Sequence, residues 1–227
     1  FAGLTLATGD VLTASQTIGS EGDPSASVTV LSSVIMQEDF DGYADQQAFN
    51  TNWLVWGDAT TSTQITLSTQ ASGTCPKSAM EPGTSGYAYR QYVGRTIPGA
   101  TEAGGFNGTD DVPLVLTAWV LHAAGSGARN AIELCGYSGH AFGSGSLGAR
   151  AWIGMYNNSS GFCNGEVVNT GMYQCGNYQG YSGCIANLDS GPGGASARMP
   201  NQWIQFKIRV KTNTIEYLVN DELYKVA

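Results

Sequence analysis

The sequence is poor in charge, and above all in clustered positive charge. Only 12% of its 227 residues are charged, about half of the ~25% found in average globular proteins. Eighteen Asp and Glu outnumber ten Lys and Arg, which gives a formal net charge of −8. The basic residues are scattered singly, whereas binding to nucleic acid or to anionic lipid needs a clustered basic surface. The composition argues against both kinds of partner.

Long apolar segments and histidines are also scarce. No run approaches the ~20 apolar residues of a membrane-spanning helix, so we expect no membrane insertion. The two histidines, His122 and His140, lie far from any nucleophile-elbow motif, so a Ser-His-Asp site is not predicted. The cysteines form no C-x-x-C pair of the kind that binds zinc.

The predicted strands lack a second carboxylate in register. A retaining glycosidase needs two carboxylates ~5–5.5 Å apart, which a strand supplies from positions i and i+2 or i+4. Glu133 and Glu216 are the acids in question, and the residues at these offsets are Cys135, Tyr137, Leu218 and Asn220. The sequence therefore predicts a protein that is not an enzyme.

Glycine is abundant, with 31 of 227 positions, about twice the average share of ~7%. Ser and Thr are frequent as well. Such a composition is typical of turn-rich extracellular β-proteins. The chain begins with Phe1 and no leader-like segment, so we expect a processed chain or an excerpt of a longer protein.

The five cysteines favour disulfides. Three of them lie in "CNGEVVNTGMYQCGNYQGYSGC", residues 163–184, which has neither a helical nor a strand period and reads as a loop. Ordering such a loop costs much conformational entropy unless it is cross-linked. Buried free thiols are the alternative, and a metal site comes last. Cys135, in the strand-like "NAIELCGY", is the predicted unpaired thiol, and the disulfide candidates are Cys75, Cys163, Cys175 and Cys184.

Residues 1–33 are predicted to form an N-terminal β-segment of three short strands. These are "LTLAT", "DVLTASQTI" and "SASVTV", separated by Gly-Asp and Gly-Asp-Pro turns. Three strands do not bury two faces unaided, so we expect another domain or chain to complete this sheet. The whole stretch resembles the closing strands of the bacterial Ig-like repeats of large surface proteins. That resemblance implies that the segment is the tail of a preceding module.

Residues 36–227 are predicted to form an all-β, antiparallel sandwich. "QITLSTQ" and "GYAYRQYVG" alternate apolar and polar residues, as half-buried strands do. "VPLVLTAWVLHA" is apolar on both faces, which predicts a central strand covered on both sides. "QWIQFKIRVK" alternates most regularly, with one predicted core-facing side made of Ile204, Phe206, Ile208 and Val210.

The segment "EDFDGYADQQAFNTNW", residues 38–53, predicts a short helical cap. Asp41 is the predicted N-cap, and four residues are predicted to pack inward: Ala44, Ala48, Phe49 and Trp53. With the later "NQWIQFKIRV" and "YLVND" hairpin, it resembles the concanavalin A-like, and more narrowly LamG-like, modules of bacterial, notably planctomycete, surface proteins. The resemblance implies a jelly-roll sandwich, but no single function, because members of this family do many things.

Two acidic groups are candidates for calcium. Glu38, Asp39 and Asp41 form the first, and Asp110 and Asp111 in "NGTDD" form the second. Calcium takes six to eight oxygen ligands, which carboxylates and loop carbonyls supply. The alternative for the first group is a purely structural role at the helical cap.

Five aromatic residues are candidates for binding a glycan. Tyr173, Tyr178 and Tyr181 lie in the cysteine-rich stretch, and Trp152 and Tyr156 share one face of a predicted strand. Sugar rings stack on such side chains, and Gly- and Tyr-rich loops on rigid β-scaffolds are typical binding surfaces. The alternative is that the strand aromatics fill the core.

The leading functional hypothesis is a non-catalytic structural or adhesive component of an extracellular, cell-surface or filament assembly. Its partners would be other copies of itself or neighbouring surface modules, bound by strand addition through residues 1–31. The alternative is a carbohydrate-binding, lectin-like module that uses the tyrosines and calcium. A glycoside hydrolase is the third and most distant hypothesis.

Overall fold

The computed structural model divides the chain into two compact units, residues 1–38 and 39–227. Among the residues that it describes, no helix is long and apolar enough to cross a membrane. The described residues are 12–15, 27–30, 34–56, 65–69, 76–80, 92–98, 106–122, 130–139, 145–157, 161–163, 165–180, 182–189 and 197–227.

The described part of the first unit contains one antiparallel strand pair. β1 (Leu12–Ser15) and β2 (Ser27–Val30) pair with Leu12 opposite Val30. They fall inside two of the three predicted strands, and the remaining one, residues 4–8, lies outside the described residues. The assignment of this unit to the tail of an Ig-like module stays a prediction.

The second unit begins with a short helix, α1 (Gln46–Asn52). The helix starts at Asp45, whose backbone is extended and whose Oδ1 accepts a hydrogen bond from the Ala48 N–H at 2.9 Å. The prediction of Asp41 as N-cap is therefore wrong, and Asp41 Oδ1 instead accepts the Lys77 N–H. Ala44 is exposed, against prediction, whereas Phe49 is buried as predicted.

An aromatic cluster explains the composition of residues 38–53. Phe49 stacks on Trp53 with 6.2 Å between centroids, and Tyr43 meets Phe49 edge-on at 5.6 Å. Phe40 lies 5.7 Å from Trp53, and the Trp53 Nε1–H donates to Tyr43 Oη at 3.2 Å. The segment forms a small apolar core of its own around the helix.

Four short strands follow the helix among the residues that the structure describes in this region. They are β3 (Leu54–Trp56), β4 (Thr66–Ser68), β5 (Ser78–Met80) and β6 (Tyr92–Gly94). β3 pairs with β6 and β4 with β5, both antiparallel. Gln46 of α1 bonds to the β4 segment like a neighbouring strand, because its side-chain amide donates to Ile65 O and accepts from the Leu67 N–H.

Two four-stranded antiparallel sheets make up the sandwich. The first sheet contains β8 (Asn130–Tyr137), β9 (Leu147–Met155), β10 (Gln174–Gln179) and β11 (Ser182–Asn187), in the order β11-β10-β9-β8. The second contains β7 (Leu114–Leu121), β12 (Trp203–Val210), β13 (Ile215–Val219) and β14 (Glu222–Val226), in the order β14-β13-β12-β7. The predicted all-β antiparallel sandwich is confirmed.

The main core lies between these two sheets. Ile204, Phe206 and Ile208 of β12 are buried in it, as the alternation predicts. Burying each such side chain contributes about 1.5–3 kcal/mol. Tyr217 of the second sheet reaches across the core, and its hydroxyl donates to Gly176 O of the first sheet at 2.9 Å.

β7 differs from its predicted position. It lies at the edge of the second sheet, beside β12, among the described strands. Leu116 and Val120 pack against the core, but Val115 and Trp119 on the other face are 45% and 55% exposed. The prediction of a central strand covered on both faces is wrong, because the apolar residues on the outer face of this strand are exposed to solvent.

Candidate functional site

The outer face of the first sheet is the surface turned away from the core, and it gathers most of the chemically interesting residues. Cross-strand pairing sets Glu133 opposite Trp152, Arg150 opposite Tyr178, and Cys135 opposite Arg150. Directly opposed residues of antiparallel strands share a face. Strand alternation therefore makes these five side chains neighbours.

A bidentate ion pair lies on this face. Arg150 donates from Nε to Glu133 Oε1 at 2.5 Å and from Nη2 to Oε2 at 2.8 Å. The guanidinium carbon also lies 5.6 Å from the centroid of the Tyr178 ring. Such fork-like pairs are strong and directional. Both Glu133 oxygens accept from Arg150, so the ion pair links the neighbouring strands β8 and β9.

Cys135 is a free thiol, as predicted. Burial, followed by the negative charge of Glu133, raises its pKa to about 11. The thiol is therefore protonated at neutral pH, and a protonated thiol is a poor nucleophile and metal ligand. Its position beside the ion pair does not make it a reactive centre.

Trp152, Tyr156 and Tyr178 come together on the outer face of the first sheet, as three of the five predicted glycan-binding residues. The Trp152 and Tyr156 centroids are 6.0 Å apart. Gly176 lies beneath the indole, since a Cβ there would approach Trp152 Nε1 to 2.1 Å. Trp152 is only 7% exposed, so most of its ring packs on the protein, whereas Tyr156 and Tyr178 are half-buried.

Tyr173 lies elsewhere, and its prediction as a ligand-binding residue is wrong. Its ring is fully buried in the core against Phe206, with 5.0 Å between centroids. Its hydroxyl accepts the Met199 N–H at 2.8 Å and hydrogen-bonds His122 Nε2 at 2.9 Å. Burial raises the pKa of this phenol. Tyr181, the fifth candidate, lies outside the described residues.

One disulfide joins Cys163 to Cys184, with 5.3 Å between their Cα atoms. It holds residues 161–163 against the edge of β11, where the Ile185 N–H also donates to Gly161 O. Cys175 is a free, buried thiol whose pKa burial raises to about 12. Its prediction as a disulfide partner is wrong, because its side chain points into the core. Cys75 lies outside the described residues.

A buried glutamine, Gln174, organises the loops at one end of the first sheet. Its Oε1 accepts the Tyr156 N–H at 2.8 Å and Arg198 Nη2 at 2.9 Å. Its Nε2 donates to the carbonyls of Asn169 and Met172, both at 2.7 Å. A fully buried amide must satisfy both its donors and its acceptor, and these bonds do so.

Asn187 extends this arrangement. Its Oδ1 accepts the Asn169 N–H at 3.0 Å and Gln174 Nε2 at 3.3 Å, while its Nδ2 donates to Val167 O at 2.9 Å. Its backbone N–H donates to Glu166 Oε2. We call the bonds made by these two amides the Gln174–Asn187 network. Sequence reasoning missed this network, because Gln174 lies in the stretch, residues 163–184, that was predicted to be a loop.

The first predicted calcium group is engaged in local hydrogen bonds. Asp39 Oδ1 accepts the Asp41 N–H at 3.0 Å, and the Lys77 ammonium donates to Tyr43 O at 2.5 Å. The same ammonium lies 3.5 Å from Asp41 O. A cationic side chain thus already occupies the carbonyls near Glu38, Asp39 and Asp41.

The second predicted calcium group, Asp110 and Asp111, lies in a turn. Thr109 Oγ1 accepts the Val112 N–H at 3.0 Å, and the Thr109 N–H donates to Val112 O at 2.9 Å. Throughout the described part of the chain, no three His, Cys, Asp or Glu side chains are grouped so as to hold a metal ion. Neither predicted calcium site is assembled.

The site thus consists of three aromatic rings and one ion pair on a rigid sheet, stabilised at its rim by the disulfide and the Gln174–Asn187 network. Such a surface can bind through ring faces and hydrogen bonds. The chain matches no protein-family model, no curated protein and no solved structure, so its resemblance to LamG-like modules stays a hypothesis.

Proposed function

We propose that this protein is a non-catalytic, extracellular β-sandwich module with a structural or adhesive role in a cell-surface or filament assembly. The observation that carries the proposal is the use of its buried polar groups. The side chains of the Gln174–Asn187 network form hydrogen bonds with the backbone of the neighbouring loops, and the adjacent disulfide anchors residues 161–163. These features favour a rigid scaffold.

Two further features support the same reading. The Cys163–Cys184 disulfide favours an oxidising, extracellular compartment, where such bonds form and persist. The bidentate bond to Arg150 occupies the carboxylate of Glu133 on the outer face of β8, which favours a structural role for this side chain.

The proposal is tested by sedimentation velocity on the full, non-reduced chain over a concentration series. A structural component that joins copies of itself is expected to form discrete or open-ended oligomers as concentration rises. A compact monomer at every concentration, up to the highest at which the protein stays soluble, would count against the structural role and favour the second candidate.

The second candidate is carbohydrate binding, and the specific observation that favours it is the convergence of Trp152, Tyr156 and Tyr178. Binding of an oligosaccharide should quench Trp fluorescence saturably, and Tyr178→Ala should weaken it at least ten-fold. Trp119→Ala, which changes an exposed ring on the second sheet, is the matched control and should leave the affinity unchanged. Equal affinities for the two variants would place any glycan site elsewhere.

A further inference from the structure

The outer strands of the two sheets differ in how their free edges are protected. β11 is covered by residues 161–163, which bond to Ile185. β14 carries Glu222 and Lys225, and its register with β13 is shifted at one point. β8 carries Glu133 and a register shift after Cys135. Charges, bulges and covering loops are the means by which proteins prevent edge-to-edge pairing.

β7 carries none of these protections. Its sequence, "LVLTAWVL", contains no charge, proline or glycine. Its pairing with β12 is unbroken from Leu114 opposite Val210 to Leu121 opposite Trp203. Across the described ranges, β12 is the one strand with which it pairs. As far as the described residues show, this uncharged edge of eight residues is therefore open to another strand.

We infer that β7 pairs antiparallel with β7 of a second copy of this chain, so that the second sheets of two molecules form one continuous sheet. A twofold axis at Thr117 places Val115 of one copy opposite Trp119 of the other on the outer face. The same register places Leu116 opposite Ala118 on the core-facing side. The residues before Thr117 in one copy thus lie opposite the residues after Thr117 in the other copy.

The faces of the sheet limit the possible registers. An axis between Thr117 and Ala118 would set the exposed Val115 opposite Val120, which packs against the core. A shift of one residue exchanges inward and outward faces, so that alternative interrupts the core-facing surface. An axis on any one residue keeps both faces continuous, and among these the axis on Thr117 is the one that sets Val115 opposite Trp119 on the outer face.

The chemistry of the strand explains why the partner is a second copy. Aromatic–β-branched pairs and Thr–Thr pairs each contribute roughly 0.2–1 kcal/mol between opposed strands. The twofold axis forms the Val115–Trp119 pair twice and places the two Thr117 side chains together. This inference rests on the proposed structural role for its purpose and supplies that role with a contact surface.

Cross-linking tests the register directly. In Thr117→Cys the two introduced thiols face each other across the axis, within the Cα separation of ~4.4–6.8 Å that a disulfide needs. Mild oxidation should convert most of this variant to a covalent dimer on a non-reducing gel. Val115→Cys alone should stay near the wild-type background, since its copies lie ~13 Å apart along the strands. A mixture of Val115→Cys and Trp119→Cys should cross-link.

Sedimentation velocity on full-length variants supplies the second measurement. Val115→Lys should weaken association at least ten-fold. Val226→Lys is the matched control, an exposed valine (53%) at the opposite edge of the same sheet, and should associate like wild type. Circular dichroism verifies that both variants are folded. If Val115→Lys associates as strongly as wild type and Thr117→Cys forms no cross-link, the pairing through β7 is overturned but the structural role is not. A monomeric wild type would overturn both.

Discussion

At the scale of single residues, we expect substitution of Gln174 to cost the most stability. It is fully buried, and its amide bonds to three backbone groups, one at Tyr156 and two in the loop that contains Asn169 and Met172. Gln174→Ala leaves the Asn169 and Met172 carbonyls and the Tyr156 N–H without this partner. Each orphaned buried group costs roughly 1–3 kcal/mol, so we expect the free energy of unfolding to fall by about 3 kcal/mol.

Urea denaturation measures this loss. The matched control is Gln179→Ala, which changes an exposed glutamine of the same strand and should alter the free energy of unfolding by less than ~0.5 kcal/mol. Equal losses in the two variants would mean that the Gln174 bonds are replaced by water at no cost.

Residues such as Gln174 mark the limit of prediction from sequence. Ile204, Phe206 and Ile208 were predictable because alternation is a property of the strand itself. The partners of Gln174 are backbone atoms of loops that reach it only after folding, and no local pattern announces them. Tyr173 was misplaced for a related reason, because a tyrosine in an aperiodic stretch looks like an exposed loop ring.

At the scale of elements, residues 163–184 were predicted to be a loop but contain β10 and the beginning of β11. Glycines in these two strands hide the alternation of apolar and polar residues by which a strand is predicted. A Cβ at Gly176 would strike Trp152, and one at Gly183 would approach Asn177 O to 2.2 Å. Close packing requires glycine at these positions, and glycine removes the apolar side chains that alternation analysis counts.

The disulfide that fixes this segment supplies a prediction. Cys163→Ser combined with Cys184→Ser should lower the free energy of unfolding by about 3 kcal/mol, because a cross-link across a sequence separation of 21 restricts the unfolded chain. Denaturation under non-reducing conditions measures it. Cys135→Ser, at a free thiol, is the control and should retain most of the stability. If the double variant unfolds at the wild-type midpoint, the bond contributes nothing.

β7 shows a second limit at this scale. Its apolar residues on both faces were visible in the sequence, and its strand character is confirmed. Whether a neighbour covers a given face or edge depends on how strands distant in sequence are ordered, and the strand's own residues do not encode that order.

At the scale of the whole molecule, charge opposes association. Each copy carries a formal net charge of −8, so two copies repel each other at neutral pH. Raising the salt concentration from ~0.01 M to ~0.15 M shortens the screening length from ~30 Å to ~8 Å. We therefore expect salt to strengthen self-association, as measured by the sedimentation coefficient at fixed protein concentration.

Acidification is the parallel test of the same idea. The charge vanishes near the sequence pI of about 4.5, so association should also strengthen as the pH falls from 7 towards 5. Oligomers that dissociate when salt is added would instead show that attraction between opposite charges joins the copies.

The connection between β7 and β12 also sets the order in which the molecule can fold. All of β8–β11 lies between these two partners in the chain, whereas β12, β13 and β14 are joined by short turns. Pairing across a long intervening chain is slow. During synthesis, β7 leaves the ribosome before β12, so β12 is not yet there to pair with its apolar residues. We therefore expect chaperone binding and aggregation into inclusion bodies to occur mainly in the period before β12 has been made.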